Sequence, residues 1–385
     1  MKNVQFLIFF AIVLTIYGLV NFYIFIRGWQ ALPAGSSLRI YYLPLFLTLA
    51  LSYIAGRFLE RAWPSLVSEA LVWIGSYWLA AMLYFFLILL LVDIVRLINL
   101  LLPVIPAVIT DHDRQAKLIA VGVAIGIVAV TLLAGHFNAV HPRIRMLDLS
   151  VPKAAGRLKT VNIVLVSDIH LGTTVNRARF DRIVAKINEL KPDLVLLAGD
   201  VVDEDLAPVV RENQGEAMRS ITAPLGVFAI TGNHEYYGGV EAACAYLQDH
   251  GVTMLRDTVV MIAESFYLVG REDREAVRLT RRGRMSLEEL MASVDRRYPV
   301  ILLDHQPFHL DQAAANGVDI QFSGHTHHGQ LWPLNFITDA VYEVSTGYKR
   351  IGETQVYVST GAGTWGPPVR TGNRPEIVNI RLSFQ

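Results

Sequence analysis

Four stretches without a single charged residue dominate the front of this chain: residues 3–26, 40–56, 70–92 and 118–135, of 24, 17, 23 and 18 residues. A helix needs about 17–25 apolar residues to cross the hydrocarbon core of a bilayer. One such run can be the buried helix of a soluble core, but four within 135 residues leave too little other protein to bury them. They are therefore expected to be membrane spans, making this a multi-pass integral protein of a cell or inner membrane. The first run is too long for the apolar core of a cleaved leader and carries no small-residue cleavage site. Tyr23, Trp29, Tyr41 and Tyr42 fall near span ends, where amphipathic rings prefer the headgroup zone. A fifth apolar stretch, 97–110, holds Pro103 and Pro106 in only 14 residues and is expected to be interfacial or re-entrant. Lys2, Arg57, Arg61, Arg143, Arg145 and Lys153 share one side of a four-span arrangement, against Arg27, Arg39, Arg96, Arg114 and Lys117 on the other. The slight excess places the back of the chain in the cytoplasm. No charged side chain lies inside the four runs, which disfavours a pump or transporter.

Residues 151–385 have the charge content of an ordinary soluble domain, and the net charge of the whole chain is zero. Without a basic excess, nucleic acid is not an expected partner. The single cysteine, Cys244, excludes a disulfide scaffold and a multi-cysteine zinc site, and reads as a small core residue. Short β-branched runs at Val161–Val166, Leu194–Ala198, Val227–Ile230, Tyr267–Val269, Val300–Leu303 and Asp319–Phe322 read as buried strands. Helical patterns at Phe180–Leu190, Val240–His250 and Ser286–Val294 alternate with them. The pattern is α/β, with a membrane unit over 1–136, a linker and first strand over 137–160, and a catalytic domain over 161–385.

Five of these strands run into polar blocks. Asp168 and His170 follow the first, Asp200 and Asp203 the second, and Asn233, His234 and Glu235 the third. Asp304 and His305 close the Val300 strand, and His325 and His327 the next. Ligands of α/β sheets collect at the carboxyl ends of strands. Imidazole and carboxylate together suit Mn, Fe or Zn, and a two-oxygen carboxylate is the natural bridge between paired ions. Gly199, Gly232 and Gly324 are expected to let the backbone turn sharply there.

In order and spacing, the five blocks resemble the calcineurin-like metallophosphoesterase superfamily over roughly residues 140–385. The tail, from Tyr357-Val358-Ser359-Thr360-Gly361 through Pro367-Pro368-Val369-Arg370 to Arg374-Pro375-Glu376-Ile377, resembles its membrane-associated branch. Some superfamily members cleave pyrophosphate-linked lipid intermediates such as UDP-diacylglucosamine. The resemblance implies a four-layer α/β/β/α sandwich holding two divalent ions. Asp168, His170 and His327 would hold the first, Asn233, His305 and His325 the second, with Asp200 bridging. It further implies that a hydroxide between the ions attacks phosphorus, that His234 protonates the leaving oxygen, and that Asp203 orients His234. Arg370 is a candidate phosphate contact, equally a rim ion pair.

Two departures from the family pattern bear on substrate. Glu204 and Asp205 follow Asp203 where protein Ser/Thr phosphatases carry an Arg-Gly pair, which argues against a phosphoprotein. His328 stands where a glycine is common. The leading expectation is a membrane-embedded hydrolase of phosphoesters or pyrophosphates, acting on a phosphorylated small molecule or lipid-linked substrate beside membrane lipids. A phosphodiesterase of soluble nucleotides, or a non-catalytic sensor keeping the fold, are the alternatives. The segment 271–297 carries eight arginines. It reads either as a solvated charged surface or as a basic lip for lipid headgroups or a substrate phosphate. Trp332 and Trp365 are expected at the pocket mouth or in the core.

Overall fold

The computed structural model describes residues 2–106, 113–280 and 283–385. The chain divides into two compact units, Met1–Ala134 and Gly135–Gln385.

The first unit is built on helices α1 (Lys2–Ala31), α2 (Leu38–Ala62), α3 (Leu66–Leu101) and α4 (Asp113–Ala139). Each contains a segment long and apolar enough to span a bilayer. Their outward faces expose Leu7, Ile8, Ile40, Phe58, Leu91, Ile119 and Leu133, an apolar surface that hydrocarbon tolerates and water does not. A smaller interior packs Ile24, Phe46, Ala50, Trp78 and Tyr84 together. The helices run beyond the charge-free stretches because charges near helix ends can reach the interface or find a partner. Asp93 of α3 pairs with Arg27 of α1 and accepts from the Tyr23 hydroxyl at 2.6 Å. The expected interfacial segment 97–110 is not a separate element: α3 continues to Leu101, and Leu102 caps it in an extended conformation ahead of Pro103. Residues 107–110 lie outside the described residues.

Among its described residues the second unit contains twelve strands: β1 (Arg143–Val151), β2 (Thr160–Val166), β3 (Leu194–Leu197), β4 (Val227–Ala229), β5 (Thr253–Met254), β6 (Thr258–Ile262), β7 (Phe266–Gly270), β8 (Val300–Leu303), β9 (Ile320–Ser323), β10 (Gly347–Ile351), β11 (Thr354–Val358) and β12 (Glu376–Phe384). They form two six-stranded sheets, ordered β1-β12-β2-β3-β4-β5 and β10-β11-β9-β8-β7-β6. The period of two along each strand assigns the layers. Ile163 and Leu165 of β2 face Ile301, Leu303, Phe322 and Tyr357 across the inter-sheet core. Val164 and Val166, pointing the other way, pack under Phe180, Ile183 and Ile187 of the helix Arg177–Glu189. On the far side Leu287, Leu290 and Met291 cover Val269, Val300 and Leu302. Four layers, α/β/β/α, result. Cys244 is buried with Tyr236, Val240 and Ala276, and burial pushes its thiol up to about 12.

β2, β3 and β4 are parallel neighbours in one sheet, and β8 and β9 in the other. Parallel neighbours end at the same edge, so the polar blocks behind these five strands converge.

Candidate metal centre

The backbone at this edge is bent against its own preference. Asp168, His170, Asp200, His325 and His327 have φ of 50°, 54°, 51°, 72° and 45°. Left-handed φ costs a residue with a Cβ about 1–2 kcal/mol, and such outliers persist where the surroundings over-determine them. Here hydrogen bonds hold the turns: Asp168 N donates to Gly199 O at 3.1 Å and His170 N to Asp200 O at 3.0 Å. Gly199, at φ 86°, does make the expected sharp turn. Gly232 and Gly324 serve differently, since neither has a positive φ. A Cβ on Gly232 would overlap Asp200 Oδ1, and one on Gly324 would overlap Asp168 Oδ2.

Around the first subsite, His170 Nε2 and His327 Nε2 face each other at 3.0 Å, and His327 Nε2 lies 3.6 Å from Asp168 Oδ1. Around the second, His305 Nε2 lies 3.1 Å from Asp200 Oδ2, and His325 Nδ1 lies 2.8 Å from Asn233 Oδ1. Asp200 Oδ2 is also 3.8 Å from His170 Nε2, so this one oxygen stands between the two groups. Atoms that each sit about 2.0–2.2 Å from one ion must lie at such separations from one another. The structure thus brings together all seven residues expected from the sequence to hold metal.

The electrostatics follow from burial. Asp200 is buried, which alone would raise its pKa, yet the neighbouring His305, His234 and His170 hold it well below the usual carboxylate range. Burial and the nearby His305 push His325 down to about 3, and burial with the Arg370 charge holds His327 well below the ordinary imidazole value. Both rings are therefore neutral, as a metal ligand must be. Burial raises Asp168.

His234 enters from the start of the helix Asn233–Gly238, its backbone N donating to Asp200 Oδ1 at 2.8 Å. Its Nδ1 is 2.9 Å from Asp203 Oδ1 and 3.2 Å from Glu204 Oε2. Burial opposes its charged form, but Asp200, Asp203 and Glu204 outweigh burial and raise its pKa well above the ordinary value. Glu204, in the sequence only a departure from the family pattern, is thus a second carboxylate on this imidazole. Glu235 also gains a role from the fold. Fully buried, it accepts from Asp200 N at 3.1 Å, Val202 N at 3.0 Å and Gly232 N at 2.7 Å, pinning the loop that carries Asp200. A carboxylate in the first turn of a helix opening at a strand end is the sequence signal for such a role.

Arg370 requires a correction. It is completely buried and does not reach solvent, where a substrate phosphate would arrive. Its Nε donates to Gly363 O at 3.1 Å, and Nη1 to Thr360 O and Asn373 Oδ1, both at 2.7 Å. Nη2 donates to Gly363 O at 2.7 Å and lies 3.0 Å from His327 Nδ1. A guanidinium only donates, and a neutral His327 that accepted at Nδ1 would carry its proton on Nε2. A ring ligating through Nε2 is instead steadied by Arg370 through Asn373, whose Nδ2 donates to the His327 and His328 carbonyls. Arg370→Met is expected to weaken Mn binding at one of two sites by about 10–100-fold, the usual cost of losing a ligand's outer partner. Calorimetric Mn titration checks this, with thermal unfolding of the metal-free protein to detect a general loss of fold. Two unchanged affinities would remove the role. His328 bonds through Nδ1 to Ser345 Oγ at 2.9 Å and joins neither subsite. Trp332 and Trp365 are half exposed, so neither fills the core; the Trp365 ring centroid lies 5.8 Å from that of His234.

The donor set fits divalent ions on an observation independent of motif. His305 Nδ1 donates to Ala198 O at 2.7 Å, which turns the buried Nε2 toward Asp200 Oδ2 at 3.1 Å without a well-formed hydrogen bond between them. A polar atom so placed is expensive unless something fills the space it faces.

Comparison with known proteins agrees. Residues 161–329 match the family model described as calcineurin-like phosphoesterase. A Danio rerio protein named transmembrane protein with metallophosphoesterase domain is 35% identical over 289 residues, covering 72% of this chain and 64% of that protein. This chain therefore spans less than two thirds of that relative's length. A metallophosphoesterase of Aquifex aeolicus is 32% identical over 224 residues, covering 58% of this chain and 85% of its own. One from Campylobacter jejuni is 29% identical over 391 residues, covering 98% of both chains. With four apolar helices and relatives named as transmembrane proteins, this is a membrane protein. Its second unit carries the candidate metal residues, and the chain belongs to the calcineurin-like metallophosphoesterase family.

Proposed function

We propose that the protein is a membrane-embedded hydrolase of phosphoester or pyrophosphate bonds that works with two divalent ions, Mn, Fe or Zn, on a lipid-linked or membrane-adjacent substrate. The observation that carries this reading is Asp200 Oδ2, poised between His305 Nε2 and His170 Nε2, with two further candidate ligands beside each histidine. Asp168, His170 and His327 would hold one ion, Asn233, His305 and His325 the other, with Asp200 shared. Two such ions supply an activated water and the positive charge that phosphoryl transfer needs. The chain's own part is to deliver a proton. His234 is held cationic by Asp203 and Glu204, its ring centroid 4.5 Å from that of His170, and it donates to the leaving oxygen.

The lipid half of the proposal rests on the surface beside the site. Trp365, near His234, is 54% exposed, and Trp332 is 51% exposed. Phe336, Ile337 and Val341 project from the helix Asn335–Val341, none of whose residues is buried. Apolar and indole side chains displayed together suit a lipid interface.

Hydrolysis by the full-length protein in detergent with Mn tests both halves, on a panel of bis-p-nitrophenyl phosphate, nucleotides and lipid pyrophosphates. Metal-dependent turnover, fastest on the lipid pyrophosphates, is expected. Turnover on nucleotides alone would remove the lipid part. Two bound ions with no turnover on any member would remove the hydrolase reading.

A further inference from the structure

The arginine-rich segment after β7 does not lie flat on the surface. Arg271, Arg274, Arg278 and Arg284 line a cavity of about 830 Å³ together with Gln306 and Phe308. That is the size of a small-molecule site, commonly about 300–1,000 Å³. Arg281 and Arg282 lie outside the described residues, and Arg297 pairs with Asp295.

The cavity adjoins the metal centre. Gln306 follows His305 directly and donates to Asp273 Oδ1 and Oδ2, both at 3.0 Å. The Phe308 ring lies 4.7 Å from Tyr342, and Tyr342 lies 6.0 Å from His325. The Arg274 guanidinium sits over Phe308 at 4.7 Å. One wall of rings therefore runs from the second subsite to the arginines.

Glu275, Glu288 and Glu289 share this lining with the four arginines, so what favours an anion is not an excess of charge but arginine donors without a matching carboxylate. Arg278 is bonded to Glu275 at 2.9 Å, and Glu289 is occupied by Ser286. Arg274 has no ion pair among the described residues. Arg271 and Arg284 share a single carboxylate oxygen, Asp304 Oδ2, with Arg271 at 3.1 Å. The Nε of each is buried without a hydrogen-bond partner, and Asp304 Oδ1 is unpaired too, so neither arginine makes the two-pronged pair that would satisfy it. Two guanidinium groups on one carboxylate, with donors buried and unused, are arranged for a further anion.

We propose that this cavity binds a second, non-reacting phosphate group of the substrate, so that the enzyme takes molecules carrying two phosphate groups joined by a spacer. The proposal rests on the phosphohydrolase reading for the first phosphate. The tetrahedral dianion meets the forked donors of Arg271 and Arg284 and the charge of Arg274, while the other phosphate lies at the metal centre. The spacer runs along Phe308 and Tyr342.

Calorimetry on the Mn-loaded full-length protein tests this without catalysis. The probes are α,ω-alkane bisphosphonates with two to six methylenes, set against propylphosphonate. The best-fitting bisphosphonate is expected to bind about 10–100-fold tighter than the monophosphonate, the ratio one or two charge-assisted hydrogen bonds supply. Arg274→Ala and Arg284→Gln should each bring that ratio close to one, and Arg274→Lys should restore part of it. Arg274 is only half buried, so its variants keep the test open should the Arg284 variant fold poorly. A wild-type ratio near one, or a ratio unchanged in both variants, overturns the proposal. So does propylphosphonate binding twice per chain with no bisphosphonate advantage, which would mean a separate free anion. Hydrolysis of bis-p-nitrophenyl phosphate by the same preparation reads the metal centre independently. An active enzyme with a ratio of one sinks the cavity proposal alone, and an inactive one with a high ratio sinks the hydrolase reading alone.

Discussion

Asp200→Ala should reduce bound Mn from two ions per chain to fewer than one and lower turnover by on the order of 10³-fold or more. Asp200 Oδ2 lies 3.1 Å from His305 Nε2 and 3.8 Å from His170 Nε2, so a single truncation removes a ligand from both subsites. Its other oxygen holds the backbone of His234 at 2.8 Å, so the proposed proton donor would lose its anchor too. Charge stabilisation by bound ions is worth several kcal/mol, and each ~1.4 kcal/mol is about tenfold in rate. The buried rings of His305, His234 and His170 would also be left around the space the carboxylate had filled. Metal analysis and turnover, measured on one preparation, check the two effects together. Retention of both ions with full turnover would show that the shared oxygen is not a bridge.

His234→Ala is expected to act differently, keeping both ions while kcat falls by about 10²–10⁴-fold, the usual range for a general acid. The loss should depend on the leaving group. An alkoxide leaves only with a proton, whereas p-nitrophenolate needs little help, so alkyl esters should lose far more than p-nitrophenyl esters. Equal losses on both would assign His234 to structure. The pH profile gives a second readout. Asp200, Asp203 and Glu204 raise the His234 pKa well above its ordinary value against the opposing effect of burial. The cation is the active form, so activity should persist through neutral pH and fall as pH rises through that elevated pKa. Asp203→Asn removes the carboxylate 2.9 Å from Nδ1 and should move the fall to lower pH. A profile that does not move would exclude Asp203 from this task.

Much of the molecule is legible in its amino-acid sequence. The spans are visible because a bilayer admits few charges, though α3 runs on through Asp93 and Arg96 since Arg27 and Tyr23 answer Asp93 from another helix. The six core strands are visible because burial on both faces demands continuous apolar runs. β12 is not, despite pairing along nine residues with β1, which the sequence places only as a first strand somewhere within 137–160. The two strands lie more than 200 positions apart in the chain, and β1 keeps a largely exposed face. β10 and β11 are hidden for a related reason, since a two-stranded hairpin at a sheet edge carries only a weak local pattern.

The same division holds within the site. Asp, Asn and His behind strand ends announce metal chemistry because those side chains are what borderline metals accept, and that inference needs no coordinates. Arg370 shows what the chain order leaves open. Its charge suggests a substrate phosphate, yet the fold buries it behind His327, 43 residues away along the chain. Gly232 and Gly324 look like turn formers and are instead clearances for the carboxylates of Asp200 and Asp168. Residue type and local spacing, which belong to the sequence alone, determined which family this chain resembles, which side chains are candidates to hold metal, and that it is anchored in a membrane. Which donor faces which was decided only by the tertiary structure, because the opposing atoms, such as His170 Nε2 and His327 Nε2 across 157 residues, meet through the register of two sheets. That register is set by the packing of every buried side chain between the sheets.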